Sequence, residues 1–263
     1  MSLPTATFYA RSISLALPTL PRHTPMRVLS VHRRVVNLAD AENNLLALVA
    51  PEVGEGPFHM VLAQTPDFSF ARAGMAGIMH GRTLTLANHH FDATRATRWQ
   101  PRLPQTPPPT AIWPQLETCI NAQPRFRQRG QQLDAATAAR MAQGLAALQA
   151  HDFAAGVALL MGLGPGLTPA GDDVLLGALA RAHMTAAPWL HALAAQVTAQ
   201  AAATTLLSRA WLLHAAAGRF DARWHALHAG LLAADTAALC AAVQAILAVG
   251  ASSGPQALAG FLV

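Results

Sequence analysis

The run Gly162-Leu163-Gly164-Pro165-Gly166-Leu167-Thr168-Pro169-Ala170-Gly171-Asp172-Asp173 holds the strongest chemical signal in the sequence. Glycines at alternate positions leave backbone N–H groups uncovered, and Thr168-Pro169 reads as an N-cap followed by proline in the first helical turn. The amides of Gly164, Gly166 and Leu167 are therefore expected to face an anion at a helix N-terminus, with Gly171 in the same candidate set. Asp172 and Asp173 place two carboxylates beside that anion. Such a pair makes chemical sense if one carboxylate handles a proton, or if a magnesium ion bridges carboxylate and phosphate. Helical spacing sets Asp172 one turn from Thr168, so Asp172 is the expected acid–base residue and Thr168 its companion donor. Asp173 points about 100° away and is assigned to orienting loop amides. Further donors are offered by Thr205, Ser208 and Arg209, and by Ser252 and Ser253 with Gly254. A ligand with two anionic ends needs donors from more than one element, so these three segments are expected to line one pocket.

The elements that must position these residues divide near residue 130. Most prolines, all four glutamates and the β-branched runs come before it; alanine and leucine dominate after it. The expected fold is α+β, an N-terminal small antiparallel β-sheet or barrel followed by a C-terminal Ala/Leu-rich helical bundle. The boundaries read as 1–98 for the β-rich domain, 99–132 for a proline-rich connector and 133–263 for the helical domain. Strands are expected at Val28–Val36, Leu45–Ala50, His59–Gln64, Phe68–Ala71 and Arg82–Ala87, with turns at Asp40–Asn44, Pro51–Pro57 and Gly74–Gly81. Six prolines between 99 and 114 exclude a central strand or helix interior there. Helices are expected from Asp134 to about 151, over 153–163, from after Thr168 to 183, at 187–203, 204–217, 221–233 and 236–249, and from Pro255 onward.

Composition excludes several chemistries. The basic residues are 18 arginines with no lysine, which rules out a Walker-type phosphate loop and a Schiff-base or pyridoxal lysine in their usual forms. With the abundant alanine, this bias suits a GC-rich bacterial genome. The formal charge of +5 is diffuse. Only Arg125, Arg127 and Arg129 cluster, without interleaved aromatics, so nucleic acid is not an expected partner. Cys119 and Cys240 form no CxxC pair and read as reduced, buried small hydrophobes. The first 25 residues, broken by Pro4, Pro18, Pro21 and Pro25, lack a secretory core, and charged residues interrupt every apolar stretch of spanning length. A cytoplasmic protein without a membrane partner is the expectation. His80, His89 and His90 alternate between strand faces and make no shared metal site. His225 and His228 read as partly exposed helix residues, and the five tryptophans as core anchors.

Three segments together carry a resemblance. Gly164 to Asp173 with Leu175-Leu176-Gly177, Thr204-Thr205-Leu206-Leu207-Ser208, and Gly250-Ala251-Ser252-Ser253-Gly254 with Gly260 resemble the hallmarks of the AllH-like family, domain of unknown function 2877. Val31 to Leu38 and Gly56-Pro57 extend the likeness over nearly the whole chain. The resemblance implies a subunit of oxamate carbamoyltransferase, acting with two partner chains in anaerobic allantoin breakdown. The alternative it leaves open is a non-catalytic subunit that binds a small anion or nucleotide while the chemistry is done elsewhere.

Overall fold

The computed structural model describes residues 6–18, 23–131 and 133–263. Pro4 and Pro21, which enter the reading of the first 25 residues, lie outside them. The chain divides into two compact units, Met1–Pro101 and Arg102–Val263.

The first unit is a barrel of eight strands followed by a short ninth: β1 Ala6–Ser14, β2 Thr24–His32, β3 Val35–Ala39, β4 Leu45–Val49, β5 His59–Leu62, β6 Ala76–His80, β7 Thr83–Leu86, β8 His89–Asp92 and β9 Thr97–Trp99. Their order is β5-β4-β3-β2-β6-β7-β8-β1-β9, and a β5–β1 pairing closes the ring. Most ladders are antiparallel, but β1 pairs with β8 and β9 in parallel, as β4 does with β5. Inward-facing Val28, Leu38, Leu48, Leu84 and Phe91 are fully buried, so the middle of the barrel is a packed core.

Several expected bounds change. Val28–Val36 is a hairpin, because exposed Arg33 and Arg34 turn the chain between β2 and β3. Phe68–Ala71 is a turn, closed by the Ala71 amide on the Phe68 carbonyl at 3.0 Å, with Phe68 buried as an anchor. The expected turn Gly74–Gly81 contains β6, whose Gly77 lies close against the Thr85 carbonyl of β7.

The second unit is helical: α1 Trp113–Asn121, α2 Pro124–Arg127, α3 Ala135–Gln149, α4 Phe153–Leu160, α5 Ala170–Met184, α6 Leu190–Gln200, α7 Leu206–Ala216, α8 Ala222–Ala233, α9 Thr236–Leu247 and α10 Ser253–Phe261. Side-chain caps start many of them. Asp134 accepts from the Thr137 amide at 2.9 Å, and Asp152, Thr205, Asp221 and Asp235 act likewise. The segment expected as a connector contributes α1 and α2, and Ile112, Leu116, Ile120 and Phe126 join the helical core. Pro114 sits in the first turn of α1, where a missing N–H costs nothing.

The innermost helix pair is α5 with α10. A Cβ on Gly177 would collide with the Ala257 carbonyl, and one on Gly260 with that of Val174. Only glycine permits this approach. The cysteine expectation is corrected: Cys119 on α1 and Cys240 on α9 form a disulfide, with their Cα atoms 5.4 Å apart. The packing of α1 on α9 brings together two residues 121 positions apart, which sequence spacing does not reveal.

Candidate functional site

The loop between α4 and α5 has positive φ at Gly162 (68°), Gly164 (108°) and Gly166 (98°), so its path requires glycine at each. Two backbone and side-chain ties fix it. The Gly171 amide donates to the Leu163 carbonyl at 2.9 Å, and the Thr205 hydroxyl donates to the Leu167 carbonyl at 2.5 Å. A Cβ on Gly171 would strike the Leu160 carbonyl, which makes that glycine a packing residue. The N-cap of α5 is Pro169, which has no side-chain acceptor, and not Thr168 as expected. The Thr168 hydroxyl instead lies 3.0 Å from that of Ser253 at the start of α10.

The two carboxylates of α5 are both buried, with different partners. Asp172 accepts from the Gly162 amide at 2.7 Å through Oδ1, and from the Ser208 hydroxyl at 2.7 Å and the Thr204 hydroxyl through Oδ2. It thus ties the glycine loop to the start of α7, and it is Asp172 rather than Asp173 that orients a loop amide. Asp173 is only 8% exposed, and its Oδ2 has no hydrogen-bond partner among the described residues. Burial holds its carboxyl well above the usual range; a hydrogen bond from Ser253 opposes that shift, and the charge of Asp172 adds to it.

A cavity of about 120 Å³ lies over these groups. Thr168, Asp172, Asp173, Ser208, Ser253 and Gly254 line it, so parts of all three expected segments converge there. Trp211, Trp224, Leu176 and Ile246 supply apolar wall, and Asp221 and Arg223 supply an ion pair at 2.8 Å. Asp221 keeps the Arg223 guanidinium charged despite burial and also caps α8 through the Arg223 amide.

The remaining expected residues stand apart from this cavity. Gly164, Gly166 and Leu167 lie in the loop outside its lining; among the described residues their amides donate to no other backbone group. Arg209 is exposed. Ser252 belongs to a separate surface depression beside Arg125, whose guanidinium binds the Gly250 and Ala251 carbonyls at 2.7 and 3.0 Å. Thr205 caps α7 by accepting from the Ser208 amide. No group of three His, Cys, Asp or Glu side chains suited to a metal comes together among the described residues. Asp172, with both oxygens taken by donors, does not offer magnesium the free carboxylate that the sequence suggested.

Sequence reasoning missed Trp211, Asp221, Arg223 and Trp224 as site residues. The available signal was Asp221-Ala222-Arg223-Trp224, a charge pair set against an aromatic in an apolar region.

Comparison with known families gives two matches. A model described as oxamate carbamoyltransferase subunit AllH matches residues 160–263, which contain the cavity's lining, and one described as the AllH family N-terminal domain matches residues 10–100. No curated protein and no solved structure matches the chain.

Proposed function

We propose that this chain, which belongs to the AllH family, supplies a reaction pocket for carbamoyl transfer between small anionic metabolites, as in allantoin and purine-nitrogen breakdown. The word subunit in the family description points to partner chains, and the pocket works within that assembly. The observation that carries the reading is Asp173, a carboxyl buried in the wall of the cavity, with one oxygen that no group among the described residues satisfies.

In the transfer, the amide nitrogen of oxamate attacks the carbamoyl carbon of carbamoyl phosphate. The bond from that carbon to the phosphate oxygen breaks, and its electron pair leaves with phosphate. The proton lost by nitrogen passes to the Asp173 carboxylate; in the reverse direction the same carboxyl returns it. A carboxyl lifted above its ordinary range suits this exchange, because its carboxylate form is a stronger base than that of a solvated aspartate. The Thr168 and Ser253 hydroxyls are placed to hold substrate oxygens, and Arg223 offsets anionic charge. Trp211 and Trp224 exclude water, which strengthens each of these interactions. Asp172 acts as the fastener of the loop.

The test is phosphate release from carbamoyl phosphate and oxamate by the chain assembled with its partner subunits. Asp173→Asn is expected to lower the rate about 10²–10⁴-fold, with circular dichroism and oxamate affinity little changed. An unchanged rate overturns the proton-transfer role and leaves the chain as an anion-binding support subunit.

A further inference from the structure

A second cavity, of about 430 Å³, opens at one end of the barrel, in a unit to which the carbamoyl-transfer reading gives no role. It sits where β1 finishes, β2 begins and the β3–β4 and β6–β7 turns meet. Its floor is apolar and buried: Ile13, Met26, Leu46 and Met79. Its rim carries two exposed arginines, Arg82 beside the Gly81 turn and Arg98 on β9. Among the described residues, no acidic one is in its lining. Asp40, at the start of the β3–β4 turn, is occupied by the Asn44 amide and side chain, both at 2.8 Å. Arg82 is partly balanced by Asp92, whereas the Arg98 guanidinium makes no ion pair among the described residues.

These features belong together physically. An eight-stranded barrel either fills its interior with side chains or holds one small ligand, and barrel mouths are a recurrent place for ligand pockets, which span about 300–1,000 Å³. Here the middle is filled and the void is confined to one end. Apolar floor alone would accept any hydrophobic molecule. Two guanidinium groups at its edge, without a facing carboxylate, select for a negative head group.

We propose that the barrel-end cavity binds an anion with an apolar body, of the medium-chain carboxylate class. The chain of the ligand covers Ile13, Met26, Leu46 and Met79, and its carboxylate meets Arg98 and Arg82. This binding is independent of the carbamoyl-transfer pocket in the helical unit.

Isothermal titration of the full chain with octanoate tests it. The expected result is saturable binding of one molecule per chain, with octanol about tenfold weaker or worse because it lacks the charge-assisted contact. Acetate, with the head but no body, should show no saturable heat. Arg98→Gln lies at an exposed position and should weaken octanoate by about tenfold without altering the melting temperature. Non-saturating octanoate, octanol binding as tightly as octanoate, or full affinity in Arg98→Gln would each overturn the proposal.

Discussion

Asp172 draws donors from Gly162, Thr204 and Ser208, whereas Asp173 is buried beside it with one oxygen unused. Asp172→Asn puts an amide N–H₂ where either one donor (at Oδ1) or two (at Oδ2) already point. It should cost about 2 kcal/mol, lowering the melting temperature by roughly 4–8 °C. Asp173→Asn should act in the other direction, in a pH-dependent way. The folded chain keeps the Asp173 proton at pH values where the unfolded chain, with an ordinary value near 3.8, releases it. Stability from this group is therefore fully present below about pH 3.8 and falls as pH rises toward the folded value. Thermal melts of the two proteins should coincide near pH 3.5 and diverge as pH rises, with Asp173→Asn the more stable. A difference that stays constant over pH would mean that Asp173 titrates alike in both states. The sequence singled out the carboxylate pair, and the structure buries both carboxylates beside one cavity. It did not show which member was bound, because that depends on Thr204 and Ser208, more than thirty residues away.

At the scale of elements, the contact of α5 with α10 explains why glycine recurs at Gly177 and Gly260 inside helices. In an isolated helix, alanine would be preferred to glycine by about 1 kcal/mol. Here the sign reverses: Gly177→Ala drives a methyl group into the Ala257 carbonyl and should destabilise by about 3 kcal/mol or more. Gly130→Ala, which meets open space, is the control. Urea denaturation that finds the two equal would show that α10 can shift to make room. Helix starts were legible where a side chain caps them, as at Asp134 and Asp221. α1 was hidden by the prolines around it, although Pro114 in its first turn favours a helix start. β6 was hidden because Gly74, Gly77 and Gly81 look like turn residues, and its strand character comes from pairing with β2 and β7. Non-local pairing is not written in any short window of sequence.

For the whole molecule, the order of β-rich before helical followed from composition, but the division falls between Pro101 and Arg102 rather than near residue 130, and the links across long sequence distances did not follow from it. The Cys119–Cys240 disulfide is one such link. Closing so long a loop constrains the unfolded chain by about 4–5 kcal/mol in the chain-entropy view. Reduction, or Cys240→Ser, should accordingly lower the midpoint of the helical circular-dichroism transition; an unmoved midpoint would mean that the bond adds nothing to the packing of α1 on α9. No helix among the described residues is long and apolar enough to cross a membrane. Barrel closure is the other long-range link, and it has a consequence in time. β1 is synthesised before its partners: β5 begins at His59, and β8 is complete only at Asp92. At about 5–20 residues per second, roughly 4–16 s of translation separate the end of β1 from the end of β8. Until β8 is complete, at least one hydrogen-bonding edge of β1 is open to water, to chaperones and to neighbouring nascent chains. The barrel is thus most exposed to misassembly on the ribosome, and faster elongation through residues 15–92 shortens the exposure.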